Sequence, residues 1–396
     1  MFEQRPDGAS QTIADSPSRA RLAVTRLVLT NFRSYAQGEI GVSGRSVVLA
    51  GPNGAGKTNL LDAISLLSPG RGLRGGKLGE HTRKGPIAQG EALWGVAATV
   101  ARGEDAYEIG TGLMPDERRQ TRMNGAPAES ASALGDIVQM SWLTPAMDRL
   151  FIESASGRRR FLDRLVFGFD SAHASRASRY ETAMRERARL LKFGPRDPAW
   201  LDALEDQMTE TGVAMAIARA ETIARLNIAL AQRGDAGAFP CAQLAMDGET
   251  DLLLAEHGEA TTGVMRERFA AARVRDAQAG RTSFGPHLSD LAVRHTRKCA
   301  DARECSTGEQ KALLISIVLA DAWELARVRG GHAPILLLDE IAAHLDARRR
   351  AALFDEITAL GAQAWMTGTD IEIFSPLRTR ADLFAVADSQ FTLISG

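Results

Sequence analysis

The sequence predicts an α/β protein with a mixed, mainly parallel sheet, an antiparallel β subdomain beside it, and a short helical arm inserted between the two halves. Three observations predict this. RSVVLA (45–50), a β-branched run of the buried parallel type, leads at once into the glycine-rich GPNGAGKT (51–58) and then into a helical pattern. Residues 91–124 switch to period two. Residues 171–193 and 199–232 are long Arg-, Ala- and Glu-rich helical stretches.

In chain order, residues 1–20 carry no apolar run, which excludes a signal peptide and predicts a flexible tail. AVTRLVLTNF (23–32) reads as a strand and RSVVLA as a second. Leu60, Leu61, Ile64 and Leu67 then recur at helical spacing. Trp94, Val96, Ala98 and Val100 alternate, as do Tyr107, Ile109, Thr111 and Leu113, and Asn124-Gly125 offers a hairpin turn, so the segment predicts an antiparallel meander. GPRDP (194–198) divides the two helical stretches. Leu201, Leu204, Met208 and Met215 keep one phase while Ile223, Leu226 and Leu230 take another, which predicts a compact helical hairpin and not an extended coiled coil. A further helix near 262–279 precedes the loop TSFGPHLSD (282–290). The last third alternates helix and buried strand, ending in DLFAVADSQFTLI (382–394). The predicted organisation is a tail at 1–20, the two parts of one domain at 21–165 and 280–396, and a helical arm at 166–279.

With 44% apolar residues and a net charge of -1, the bulk of the chain is not disordered. No stretch approaches the roughly 20 apolar residues of a membrane span. Three cysteines are too few for a disulfide framework or a zinc site, so a cytoplasmic protein is the default. Charge is uneven along the chain. Residues 156–196 hold ten Arg and one Lys against four acids, and Arg71, Arg74, Lys77, Arg83 and Lys84 surround a Gly-rich turn. Such patches suit a phosphate backbone and suit a solvated helix face equally.

Gly51, Gly56, Lys57 and Thr58 fit G-x-x-x-x-G-K-[ST], between a buried strand and an amphipathic helix. The loop Gly51, Pro52, Asn53, Gly54, Ala55 and Gly56 would turn backbone N–H groups towards phosphate oxygens, helped by the helix dipole. Lys57 would sit against the β- and γ-phosphates of ATP, and Thr58 would ligate Mg²⁺. Near the other end, Ile335-Leu336-Leu337-Leu338 delivers Asp339 and Glu340 to a sheet edge. Asp339 would hold the Mg²⁺ shell, and Glu340 would be the base for the attacking water. Between these motifs, Ser306-Thr307-Gly308-Glu309 has the S-x-x-E spacing of a capping box before a long helix.

That helix start also resembles the signature motif of ABC-type ATPases, whose serine and glycine face a nucleotide held by another subunit. Ala343-His344-Leu345-Asp346 resembles the dimer-contact loop of that superfamily. The NFRSY start, GPNGAGKTNLLDAI, GRGLRG, SGRRRFLDRL, TSFGPH and STGEQK…LLLDEIAAHLD together resemble the RecF family from about residue 22 onward. The resemblance implies an ABC/SMC-type ATPase head and an ATP-dependent homodimer that binds DNA at single-strand gaps or junctions. It further implies roles in DNA replication, recombination, repair and the SOS response, with RecO and RecR as partners. Ser306 and Gly308 become ATP contacts from the partner subunit, and Arg158, Arg159 and Arg160 become DNA-binding candidates. The superfamily's switch histidine is replaced within Met366-Thr367-Gly368-Thr369, making Thr367 or Thr369 the expected γ-phosphate sensor. Gln139 is a possible metal-loop glutamine, and Leu288-Ser289 stands where the family more often carries charge. Two other classes share parts of the pattern. A transporter ATPase subunit does not need a separation of 249 positions from Lys57 to Ser306, and Glu340 speaks against a non-catalytic scaffold.

Overall fold

The computed structural model describes residues 22–85, 92–128, 131–194, 197–234, 237–342 and 345–395. The predicted tail, and Ala343 and His344 of the predicted dimer-contact loop, lie outside them. The chain opens with β1 (Leu22–Phe32) and β2 (Tyr35–Gly41), a hairpin closed by Arg33 and Ser34. β3 (Ser46–Ala50) runs into α1 (Lys57–Ser65) through the glycine-rich loop. β4 (Trp94–Arg102), β5 (Asp105–Leu113), β6 (Arg119–Met123) and β7 (Ala126–Pro127) form the expected meander. Asn124 and Gly125 turn between the last two, both at positive φ, as a tight hairpin requires. These strands join β1 and β2 in one antiparallel sheet, order β2-β1-β4-β5-β6-β7.

β8 (Met140–Leu143) leads to α2 (Ala155–Phe169), α3 (His173–Phe193) and α4 (Pro198–Arg233). The predicted boundary at 165 therefore falls inside α2. Asp197 caps α4, its carboxylate accepting from the N–H groups of Ala199 and Trp200, and Pro198 occupies the first helical position. β9 (Ala242–Asp247), α5 (Glu249–His257), α6 (Thr261–Ala279), β10 (Asp290–His295) and β11 (Ala300–Asp301) follow, with the three strands in a small antiparallel sheet. The sequence reading had missed that sheet. The chain ends with α7 (Thr307–Val328), β12 (Ile335–Leu338), α8 (Ala347–Leu360), β13 (Ala364–Gly368), β14 (Ala381–Ala387) and β15 (Gln390–Ser395). DLFAVADSQFTLI is thus a hairpin turning at Asp388 and Ser389, both at positive φ, and not one strand.

The main sheet has the order β15-β14-β3-β13-β12-β8, with every pair parallel except β14 with β15. Except for the exposed edge strand β15, its strands are largely buried, and their side chains alternate between two cores. Val47, Leu49, Ile335, Leu337 and Trp365 face α1 and the antiparallel sheet. Val48, Leu336, Leu338 and Met366 face the other way, into the core shared with α2, α7 and α8. A third core, with Tyr180, Leu190, Leu204, Met208, Met265 and Phe269, holds the helical arm. The slip in helical phase along α4 now has a cause. Leu201, Leu204, Met208 and Met215 point into the arm core, while Ile223, Leu226 and Leu230 point into the core of the head.

A fully buried acid, Asp321, interrupts the apolar face of α7. The Asp321 carboxylate is fully buried and accepts the Ser141 hydroxyl proton at 2.6 Å, and its Oδ1 has no partner. Burial pushes its pKa up to about 7, against the pull of Ser141 and the Arg164 guanidinium. Between about pH 4 and pH 7 the folded chain keeps a proton that the unfolded chain has released, so this group lowers stability as pH rises, by about 4 kcal/mol at most. Asp321→Asn is expected to stabilise the protein at pH 8 and to change it little at pH 4.5. Urea unfolding of both proteins at the two pH values checks this, and an equal wild-type-to-variant difference at both would reject it.

Candidate nucleotide site

β3, β13, β12 and β8 all point the same way, so their C-terminal ends form one edge carrying the phosphate-loop, acidic-pair and Thr367 segments together. Pro52, Asn53 and Gly54 are exposed, and Ala55, Gly56 and Lys57 are buried. Gly56 has φ 108, and a Cβ there would stand 2.7 Å from the Tyr35 Oη, so only glycine fits. Tyr35 donates to the Gly56 carbonyl at 3.1 Å, and the Ser389 N–H donates to the Ala55 carbonyl at 3.1 Å. Arg33 of the same NFRSY segment donates to Asp62 of α1 at 2.5 Å. The loop is thus braced by the first hairpin and by the last. The first turn of α1 carries no acid to oppose an anion.

Lys57 Nζ donates to the carbonyls of Gly51 (2.7 Å) and Pro52 (3.0 Å) and lies 3.5 Å from Glu340 Oε1. The Thr58 hydroxyl donates to Asp339, 2.9 Å from Oδ1 and 3.1 Å from Oδ2. Thr367 Oγ1 donates to Asp339 Oδ1 at 2.7 Å and accepts the Glu340 N–H at 2.9 Å. Glu340 has φ 53, in the left-handed region that a non-glycine residue enters at a cost. The phosphate loop, Thr58, Asp339, Glu340 and Thr367 are therefore one connected constellation. Thr58 and Asp339 place two hard oxygen donors side by side with no sulfur or imidazole, a set that fits Mg²⁺, which keeps water and phosphate oxygens as its other ligands. Among the described residues no cluster of three His, Cys, Asp or Glu forms an all-protein metal cage.

Ser306 caps α7. Its N–H and its hydroxyl both donate to Glu309 Oε2, at 3.1 Å and 3.0 Å, and Ser306, Thr307 and Gly308 are exposed. The hydrogen bond from Lys298, and then those from the Ser306 N–H and hydroxyl, hold the Glu309 carboxyl at about 2, so it is ionised at any working pH. Lys311, one turn into α7, donates to Asp148 at 3.1 Å, which anchors the helix start just past the end of β8. β8 lies three strand spacings from β3, about 14 Å. The phosphate loop and the Ser306 segment therefore share an edge but stand apart on it.

Other sequence-predicted residues are placed differently. Arg158 forms a two-pronged pair with Asp290 (2.8 and 2.7 Å) and donates to the carbonyls of Leu150, Phe151 and Glu153. Arg159 donates to the Ser289 carbonyl at 2.6 Å. Arg158 thus joins α2 to β10 and Arg159 joins α2 to the residue before that strand, while Arg160 is exposed. Gln139 precedes the first residue of β8, about 13 Å from the edge that holds Asp339, and its side chain donates to the Gly135 carbonyl. It is not placed as a metal-loop glutamine. Thr369 is exposed, and Thr367 is buried. Sequence reasoning missed Tyr35 and Ser389 as braces of the phosphate loop; the signal available for Tyr35 was its place in NFRSY, and Ser389 had none.

A family model described as the RecF/RecN/SMC N terminal domain matches residues 23–389. The DNA replication and repair protein RecF of Rhizobium etli (strain CIAT 652) is 49% identical over 373 residues, covering 93% of this chain and 98% of that protein. The chain belongs to the RecF family. RecF of Agrobacterium fabrum is 50% identical over 378 residues, covering 94% of this chain and 99% of that one. The solved structure of the recombination mediator protein RecF-ATPrS in the RecFOR pathway is 21% identical, covers 96% of this chain and 100% of its own, and superposes with a TM-score of 0.81. The Smc head domain of Pyrococcus furiosus, bound to the C-terminal domain of ScpA, is 18% identical with a TM-score of 0.51, covering 95% of this chain and 96% of its own. The fold is accordingly that of a RecF and SMC ATPase head. Among the described residues no helix is long and apolar enough to cross a membrane.

Proposed function

We propose that this RecF-family chain is an ATP-dependent DNA-binding protein of replication and recombinational repair, working in the cytoplasm as a homodimer assembled by ATP. The observation that carries the reading is the arrangement on the sheet edge. Lys57 and Thr58 follow β3, while the exposed Ser306 to Gly308 segment opens α7, whose Lys311 meets Asp148 past the end of β8, the third strand from β3, and whose Gly308 carbonyl accepts from Arg349 of α8. Two copies related by a two-fold axis bring the loop of each against the Ser306 segment of the other. Each triphosphate then lies between two subunits and contributes binding energy that only the dimer has.

Lys57 holds the phosphates, and the Glu340 carboxylate takes the proton of the water that attacks the γ-phosphorus, while the bond to the ADP oxygen breaks. Mg²⁺, held by Thr58 and Asp339, would supply charge neutralisation on the phosphate oxygens. Hydrolysis removes the bridging charge and releases DNA, which makes slow turnover a timer. The RecF name of the relatives, and the ATP-analogue complex of one of them, support ATP as substrate and DNA repair as the setting. By the same kinship, single-strand gaps or junctions are the DNA sites, RecO and RecR are the partners, and loading of recombinase and support of the SOS response are the outputs. Among Arg158, Arg159 and Arg160, the exposed Arg160 is the candidate contact to a phosphate backbone, which its exposure supports.

The test is complementation in a mixture. Lys57→Ala and Ser306→Arg are each expected to abolish hydrolysis alone, because every site of either homodimer is broken. Mixed, half the dimers are heterodimers with one intact site of two, so about a quarter of wild-type activity should return. An inactive mixture, with both variants folded and still able to associate, would reject the shared site.

A further inference from the structure

The hydroxyl of Thr367 has one proton and gives it to Asp339 Oδ1 at 2.7 Å; its oxygen is taken up by the Glu340 N–H at 2.9 Å. It therefore has no proton left to donate to a nucleotide oxygen. The side chain is 1% exposed, on β13 between the strand that ends in the phosphate loop and the strand that ends in the acidic pair. The next position is closed to any sensor. A Cβ on Gly368 would come within 2.6 Å of Phe374, a fully buried ring, so no side chain fits there without moving the core. Glu340, meanwhile, leaves the end of β12 with a left-handed backbone, and among the described residues its N–H finds its acceptor in Thr367.

We infer that Thr367 is a positioning residue for hydrolysis: its hydroxyl fixes the strained backbone of Glu340 and one oxygen of Asp339, setting the rate of the chemical step and leaving nucleotide affinity nearly untouched. The inference deepens the proposed function, since it rests on Glu340 being the base. It also replaces the expectation that this threonine senses the γ-phosphate directly. Valine at 367 keeps the branched shape that suits a buried strand but satisfies neither neighbour. Asp339 keeps its contact with Thr58, so the phosphate loop and metal donors remain assembled.

The experiment compares wild type, T367V and T367S as full chains, measuring kcat at saturating ATP with Mg²⁺ and the ATP dissociation constant by titration. T367V should lose about 10- to 100-fold in kcat, with the dissociation constant within about threefold of wild type. T367S, which keeps the hydroxyl, should recover most of the rate. In a Glu340→Gln background, measured in single turnover, T367V should cause little further loss, because the carboxylate it orients is already gone and Asp339 keeps its contact with Thr58. Unchanged kcat in T367V, an affinity loss equal to the rate loss, or a multiplied loss in the double variant each overturn the inference. If T367V does not fold, T367S is compared with T367A under the same criteria. A wild-type protein that hydrolyses no ATP would reject the proposed function itself, whereas an active wild type with an equally active T367V rejects this inference alone.

Discussion

Glu340→Gln is expected to slow ATP hydrolysis by about 10²- to 10⁴-fold, the range for removing a general base, and to leave an ATP-bound dimer that stays on DNA. Glutamine keeps the size of the side chain and the N–H that Thr367 accepts, so the backbone turn at 340 survives. It cannot take a proton from water. A second effect acts in the same direction. The wild-type carboxylate stands 3.5 Å from Lys57 Nζ, beside the ammonium that would meet the phosphates. Removing that negative charge strengthens the attraction between the loop and a triphosphate. Slower loss and tighter hold both raise the population of the closed dimer. Sedimentation at saturating ATP checks this: a monomeric Glu340→Gln protein would contradict the shared-nucleotide scheme.

Arg187→Ala is expected to destabilise the helical arm by about 3–5 kcal/mol, the cost of leaving buried charges unpaired. Arg187 is fully buried, with Nε donating to Glu205 at 2.8 Å, Nη1 to Asp276 at 2.7 Å and Nη2 to the Phe269 carbonyl at 2.8 Å. One guanidinium thus ties α3 to α4 and α6. Glu205 keeps Arg273 as a partner, and Asp276 keeps the N–H and hydroxyl of Ser283, so the variant retains partial compensation. Lysine cannot replace the fork, because its three donors radiate from one point. Urea unfolding followed by circular dichroism reads the loss, and a change below about 1 kcal/mol would show that the pair contributes little.

The elements that the sequence revealed most clearly are those whose pattern is local. RSVVLA, GPNGAGKT and ILLLDE state their own structure, because a buried strand and a phosphate-binding turn need particular residues at adjacent positions. The meander was legible for the same reason, from Trp94 to Asn124. What stayed hidden depends on contacts between distant segments. Nothing near Arg158 indicates Asp290, 132 residues away, so the ion pair joining α2 to β10 had no local signal. The small sheet of β9, β10 and β11 has short strands with mixed composition and no turn of a recognisable type between β9 and β10. Thr367 was singled out because it stands where the superfamily's switch histidine is replaced, but its contacts with Asp339 and the Glu340 N–H need β12 and β13 side by side. The slip in phase along α4 was visible as a pattern; its cause, a helix that serves two cores in turn, was not.

The placement of β3 has a consequence for how the chain comes into being. Its two sheet neighbours, β13 and β14, begin more than 300 residues later, and Ser389 closes onto the loop that β3 feeds. During synthesis the glycine-rich loop therefore emerges with the brace from Tyr35 of the first hairpin but long before its strand neighbours and Ser389. A strand waiting that long, apolar on both faces, is exposed to wrong pairing until the ribosome has nearly finished. Ribosome-bound chains halted anywhere before residue 389 should accordingly fail to capture nucleotide, which makes the last hairpin the step that completes the enzyme.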